Sequence, residues 1–198
     1  MPFNKIIAES MDLTDTYAFT GTVTGAGSNG LVRLGGANAT GQNVGDVSFD
    51  LFTTDYDFYY VTFVVSYVSA SNCWLRLRSS GSYLTASNYR QPMLGLRSDG
   101  SSRTIVHATS TYFELGSSAE AGASHNSHAG YLLFQKPMVS SKTTQLNIHC
   151  TVQDTSANVI DKTGGGIYMA TGGHSGFGIM GSTNLDEYNI QVFGVSQS

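Results

Sequence analysis

The stretch GFGIMG, Gly176 to Gly181, matches Gly-x-Gly-x-x-Gly at every position, and its reading decides between two fold classes. As a dinucleotide fingerprint it belongs to an α/β chain. As strand and turn glycine it belongs to an all-β one. The fingerprint works only where the glycines end a strand and open a helix, because the pyrophosphate sits on that helix's amino terminus and an acidic residue about twenty positions on holds the ribose. Gly181 is followed by STNLDEYNIQVFGVSQS, most of which alternates as a strand, so the sequence offers neither the helix nor the acid. The surrounding run TGGGIYMATGGHSGFGIMGS holds eight glycines in twenty residues. A structural reading remains: Gly164 to Gly166, Gly172, Gly173, Gly176 and Gly178 are expected to supply positive φ and close backbone approach at turns and bulges.

Outward from this run the hydrophobic period is two. FYYVTFVVSYV, Phe58 to Val68, is apolar on both faces, which places it in the middle of a sheet. CWLRLR sends Cys73, Leu75 and Leu77 inward, and TQLNIHCTV does the same with Leu146, Ile148, Cys150 and Val152. DVSFDLF sets Val47, Phe49 and Leu51 against Ser48, Asp50 and Phe52, while TIVHATSTYFEL, GYLLFQKPMV and EYNIQVFGV read as further strands. Clusters of turn formers such as GAGSNG, RSDGSS and DKTGGG separate them. The expected fold is all-β: a single antiparallel β-sandwich or jelly roll over residues 17–198, with 1–16 as a short N-terminal arm or attachment segment.

Composition agrees. Among 198 residues only 12% are charged, against about a quarter in ordinary globular chains, while Ser, Thr, Gly, Tyr and Phe abound. The net charge of −4 comes from ten basic and fourteen acidic residues without a like-charge run, so neither nucleic acid nor membrane insertion is an expected partner. MPFNKIIAES carries no apolar core of signal-peptide length, which points to folding in a cytosol. Cys73 and Cys150 therefore read as small core hydrophobes rather than a secreted disulfide framework. The glycosylation acceptor Asn38-Ala39-Thr40 has no export signal to support it.

Each chemical motif falls short of the context it needs. His125 and His128 are the weak metal candidates, but they sit in a glycine- and serine-rich stretch without a third ligand. His174 precedes Ser175, yet Phe177 occupies the second glycine's place of a nucleophile elbow. Asp55 and Asp57 share a face before the central strand, where carboxylates could hold calcium or serve a glycosidase, and where they also punctuate strand ends. The chain is expected to be no enzyme and to need no cofactor. The stronger surface is Trp74, Arg76 and Arg78, projecting from one strand, with Tyr83 and Tyr89 in the segment that follows. Aromatic faces and guanidinium forks stack on sugars and anchor protein interfaces, and the same face could equally pack on a second sheet or a neighbouring subunit.

KIIAESMDLTDTYAFTGTVTGAG, FTTDYDFYYVTF and the ending YNIQVFGVSQS resemble modules of tail-fibre and other virion surface proteins of marine bacteriophages, those of cyanobacteria among them. The resemblance covers most of residues 5–196. It implies a non-enzymatic, homotrimeric virion component, assembled in the host cytoplasm beside other tail or capsid proteins. As a short tail fibre such a protein recognises a host glycan or outer-membrane receptor; as a head decoration protein it clamps capsid subunits. A carbohydrate-binding module is the reading from another class.

Overall fold

A computed structural model describes residues 30–117, 127–153 and 158–195. The expected N-terminal arm, the strand expected at Tyr17 and His125 lie outside the described residues. Every regular element among those described is a strand: β1 Leu31–Ala39, β2 Val44–Phe49, β3 Phe58–Tyr67, β4 Cys73–Ser79, β5 Ser82–Tyr83, β6 Tyr89–Arg97, β7 Ser102–Ser110, β8 Phe113–Gly116, β9 Ser127–Gln135, β10 Thr143–Gln153, β11 Val159–Thr171 and β12 Gly176–Val195. All pairings are antiparallel.

The last strand organises the rest. From Gly176 to Gly181 it pairs with β4, and its residues Phe177 to Met180 also pair with β2. Beyond a register shift it runs between β3 and β1, with Ile190 opposite both Phe63 and Ala37. A short layer, β2-β12-β4 with β5 and β8 against β4, thereby joins a long layer, β1-β12-β3-β9-β10-β11-β6-β7. The result is an all-β antiparallel sandwich made from one curled sheet.

Aromatic contacts show where the layers meet. Phe177 of the short layer lies 5.2 Å, ring to ring, from Phe134 of β9. Phe52, just after β2, wedges between them at 5.0 Å from Phe134 and 4.4 Å from Tyr59. Strand alternation delivers this core: Tyr59, Val61, Phe63, Val65 and Tyr67 point in from β3, Cys73, Leu75 and Leu77 from β4, and Leu146, Ile148, Cys150 and Val152 from β10. Each fully buried Leu or Phe contributes about 1.5–3 kcal/mol of apolar transfer.

β3 is central, between β12 and β9, as its two apolar faces lead one to expect, and its second face is only partly covered, with Val64 half exposed. Three expectations are corrected. Phe52 is buried rather than outward: β2 ends at Phe49, the chain turns, and alternation does not carry across the turn. TIVHATSTYFEL is two strands, since β7 ends at Ser110 and β8 starts at Phe113 in another part of the sheet. Most of the glycine run lies inside β11 and β12 rather than at turns, and of its glycines only Gly172, between these strands, has positive φ. The close backbone approaches do occur. A Cβ on Gly176 would sit 1.7 Å from the Phe49 carbonyl oxygen.

Candidate functional site

β4 presents Trp74, Arg76 and Arg78 on the outer face of the short layer, as its alternation requires, all three partly buried. Trp74 stacks on Tyr112 with ring centroids 4.7 Å apart and 23° between planes. Arg76 donates from Nε to the Thr111 carbonyl at 3.1 Å. Arg78 donates from Nε and Nη2 to Asp50 Oδ2 at 3.1 and 3.0 Å and from Nη2 to the Gly81 carbonyl at 2.6 Å. Its guanidinium carbon also lies 4.8 Å from the Tyr83 ring centroid.

Tyr83 rests over Gly178, whose absent side chain makes the space: a Cβ there would meet the tyrosine oxygen at 2.2 Å. The Tyr83 hydroxyl donates to the Asp46 carboxylate. Burial, and then that carboxylate, push its pKa up to about 12. The Asp50 carboxyl is held below its usual range, first by Arg78 and then by Ser175, whose hydroxyl donates to Asp50 Oδ1 at 2.7 Å. The structure thus brings four of the five sequence candidates to one face and binds Arg76, Arg78 and Tyr83 to their own chain.

Tyr89 does not join them. It is fully buried at the start of β6, where its hydroxyl donates to the Leu84 carbonyl at 2.8 Å and accepts from the Leu77 amide at 3.0 Å. The segment after β5 folds back over the core and takes this ring with it, edge-on to Phe113 and Tyr168.

The other candidates have structural partners. His128 is buried on β9, edge-on to Tyr67, rather than exposed in a loop. Asp55 accepts from the Thr53 hydroxyl at 3.1 Å, and Asp57 pairs with Lys136 at 3.6 Å. His174 is buried with Nδ1 2.6 Å from the Thr144 hydroxyl, and burial lowers its pKa. Among the described residues no three His, Cys, Asp or Glu side chains gather to hold a metal ion. Cys73 and Cys150 are both buried and are not joined in a disulfide.

Set against known proteins, the chain matches no family model, no curated protein and no solved structure.

Sequence reasoning missed the outer face of the long layer. There Tyr131 stacks flat on His149 at 4.9 Å, with Tyr60 and Phe193 continuing the aromatic row across β3 and β12. Towards β7 the same face carries Leu94, Leu96 and Val106, which are 58%, 65% and 69% exposed. Between these regions β10 and β11 form a polar band with a groove of about 390 Å³. The signal for this face was present as the second apolar side of β3, but the position of β10 and β11 beside it depends on pairing partners.

Proposed function

We propose that this chain is a non-enzymatic surface protein of a bacteriophage particle, a short tail fibre that attaches the particle to its host. The observation that carries the reading is the outer face of the long layer, where Tyr131, Leu94, Leu96 and Val106 stand open on one surface of a chain otherwise poor in charge. An apolar face of this kind serves association or attachment. The resemblance to virion surface modules supplies the setting, and a homotrimer the assembly in which part of that face is covered.

The test has two arms. Purified protein added to host cells blocks phage adsorption if it is a receptor-binding fibre; a cement protein leaves adsorption unchanged and binds emptied capsids. Copies per particle number dozens or fewer, in multiples of three, for a fibre. Hundreds matching the capsid lattice would overturn the fibre reading in favour of decoration. Light scattering at micromolar concentration is expected to give three times the 21.1 kDa chain mass.

A further inference from the structure

Three consecutive glycines on β11, Gly164, Gly165 and Gly166, have different reasons to be glycine. A Cβ on Gly164 would lie 2.3 Å from the Pro92 carbonyl oxygen, so the neighbouring strand demands its absence. A Cβ on Gly166 would lie 2.5 Å from the Phe113 ring, so the core demands it. At Gly165 the nearest atoms are the Leu146 carbonyl oxygen at 3.4 Å and Asn147 Oδ1 at 3.8 Å, both ordinary contacts, and its φ is not positive. Neither packing nor backbone conformation requires glycine there. Glycine within a strand otherwise marks a place where something approaches the backbone closely.

Gly165 is the floor of the groove. Pairing places it beside Asn147, and one row along the sheet Gln145, Ile167 and Arg90 stand in register. Pro92 completes the lining on β6. Arg90, Gln145 and Asn147 are exposed, and among the described residues no hydrogen bond or ion pair engages their side chains. Three planar polar groups thus line an open backbone floor, with Pro92 and Ile167 among the apolar parts of the wall. A groove of this size is in the range of small-ligand sites.

The lining selects the ligand. It carries one cation, no carboxylate and no aromatic ring, which suits neither a polyphosphate nor a stacked base. Two amides that each offer a donor and an acceptor match vicinal hydroxyls, and the apolar wall matches the C–H face of a pyranose. A guanidinium with no partner among the described residues needs an anion when it is brought under a ligand, and a carboxylate fits its fork in two parallel hydrogen bonds. We infer that the groove floored by Gly165 binds an acidic saccharide, a uronic-acid unit whose carboxylate sits on Arg90 and whose hydroxyls meet Asn147 and Gln145. The inference rests on the fibre reading for the source of the glycan and not for the existence of the site.

Titration calorimetry with purified protein tests it, using oligogalacturonate and alginate trisaccharides against cellotriose and maltotriose. The acidic trisaccharides are expected to bind and to weaken as salt rises, and the neutral ones to bind at least tenfold more weakly. Arg90→Gln is expected to lose at least tenfold for the acidic ligands. Gly165→Val is expected to abolish binding while keeping the wild-type circular dichroism and a thermal midpoint no lower than the wild type's. Absence of binding at millimolar ligand, equal affinity for neutral sugars, or unchanged binding by either variant overturns the inference. So does failure of Gly165→Val to fold, since packing would then require the glycine. Protein that blocks adsorption but ignores these saccharides sinks the groove alone; protein that binds them but leaves adsorption intact sinks the fibre reading alone.

Discussion

Two outward surfaces of this molecule use glycine in opposite ways. On the short layer Gly178 makes room for the chain's own Tyr83, and the arginines beside it are bonded to Asp50, Gly81 and Thr111. On the long layer Gly165 makes room for nothing among the described residues, and the polar groups around it have no partner there either. The first surface has the residue types of a recognition site and has used them in its own folding. The second has plainer residues and keeps them available. Residue type alone is therefore a poor guide to a binding face; what matters is whether the fold has already satisfied the groups.

Substituting the glycines breaks or sharpens this contrast. Gly176→Ala carries the largest expected effect, because its Cβ would overlap the Phe49 backbone oxygen and β2 and β12 would have to part. Urea unfolding is expected to register a loss of at least about 3 kcal/mol, the upper end of overpacking costs. Gly166→Ala meets a ring that can tilt, and a loss of about 1–2 kcal/mol is expected by the same measurement. A loss as small as that for Gly176 would mean that the short layer is looser than its contacts imply.

Arg78→Ala is expected to cost about 1 kcal/mol or less, since Asp50 is more than a third exposed and water screens the pair. The folded Asp50 pKa is depressed, so this contribution is present above the ordinary carboxylate pKa and is lost as pH falls through the folded value. A urea midpoint followed from pH 6 to pH 3 should therefore fall less steeply in Arg78→Ala than in the wild type. His174 acts in a higher window. Burial lowers its folded pKa, so below the unfolded value near 6.5 the unfolded chain binds the extra proton and stability declines with acid. His174→Asn is expected to flatten that decline between pH 7 and pH 5.5 in chemical denaturation. Smallest of all is Gly165→Ala, which should stabilise by about 0.5 kcal/mol through the unfolded chain's lost freedom. A destabilisation there would erase the contrast between the two surfaces.

The fold was legible wherever one strand carried its own period. Cys73, Leu75 and Leu77, or Leu146 through Val152, declare their faces within a few residues, and the burial of each follows. The glycine run could not be placed in this way, because a residue without a side chain has no period; whether it turns or pairs is decided by partners up to 130 positions distant, as Ser48 is from Gly178 in the ladder. Tyr89 was misplaced for a related reason, since its neighbours are polar and only the return of β6 over the core buries it. The groove was illegible for the strongest form of that reason. Arg90, Asn147 and Gly165 come from three strands, and nothing in any one of them names the other two.

The dual membership of β12 also has a consequence for when this protein becomes a protein. On a ribosome, β1, β2, β3 and β4 all emerge well before β12, with which each of them pairs. Until residues 176–195 are made, both layers lack their shared member, and the two cannot be joined through it. Pairing at such sequence separation is slow, because loop closure comes before any contact rewards it. The joining of the two layers thus waits on β12, while β3, β9, β10, β11, β6 and β7 already have one another to pair with.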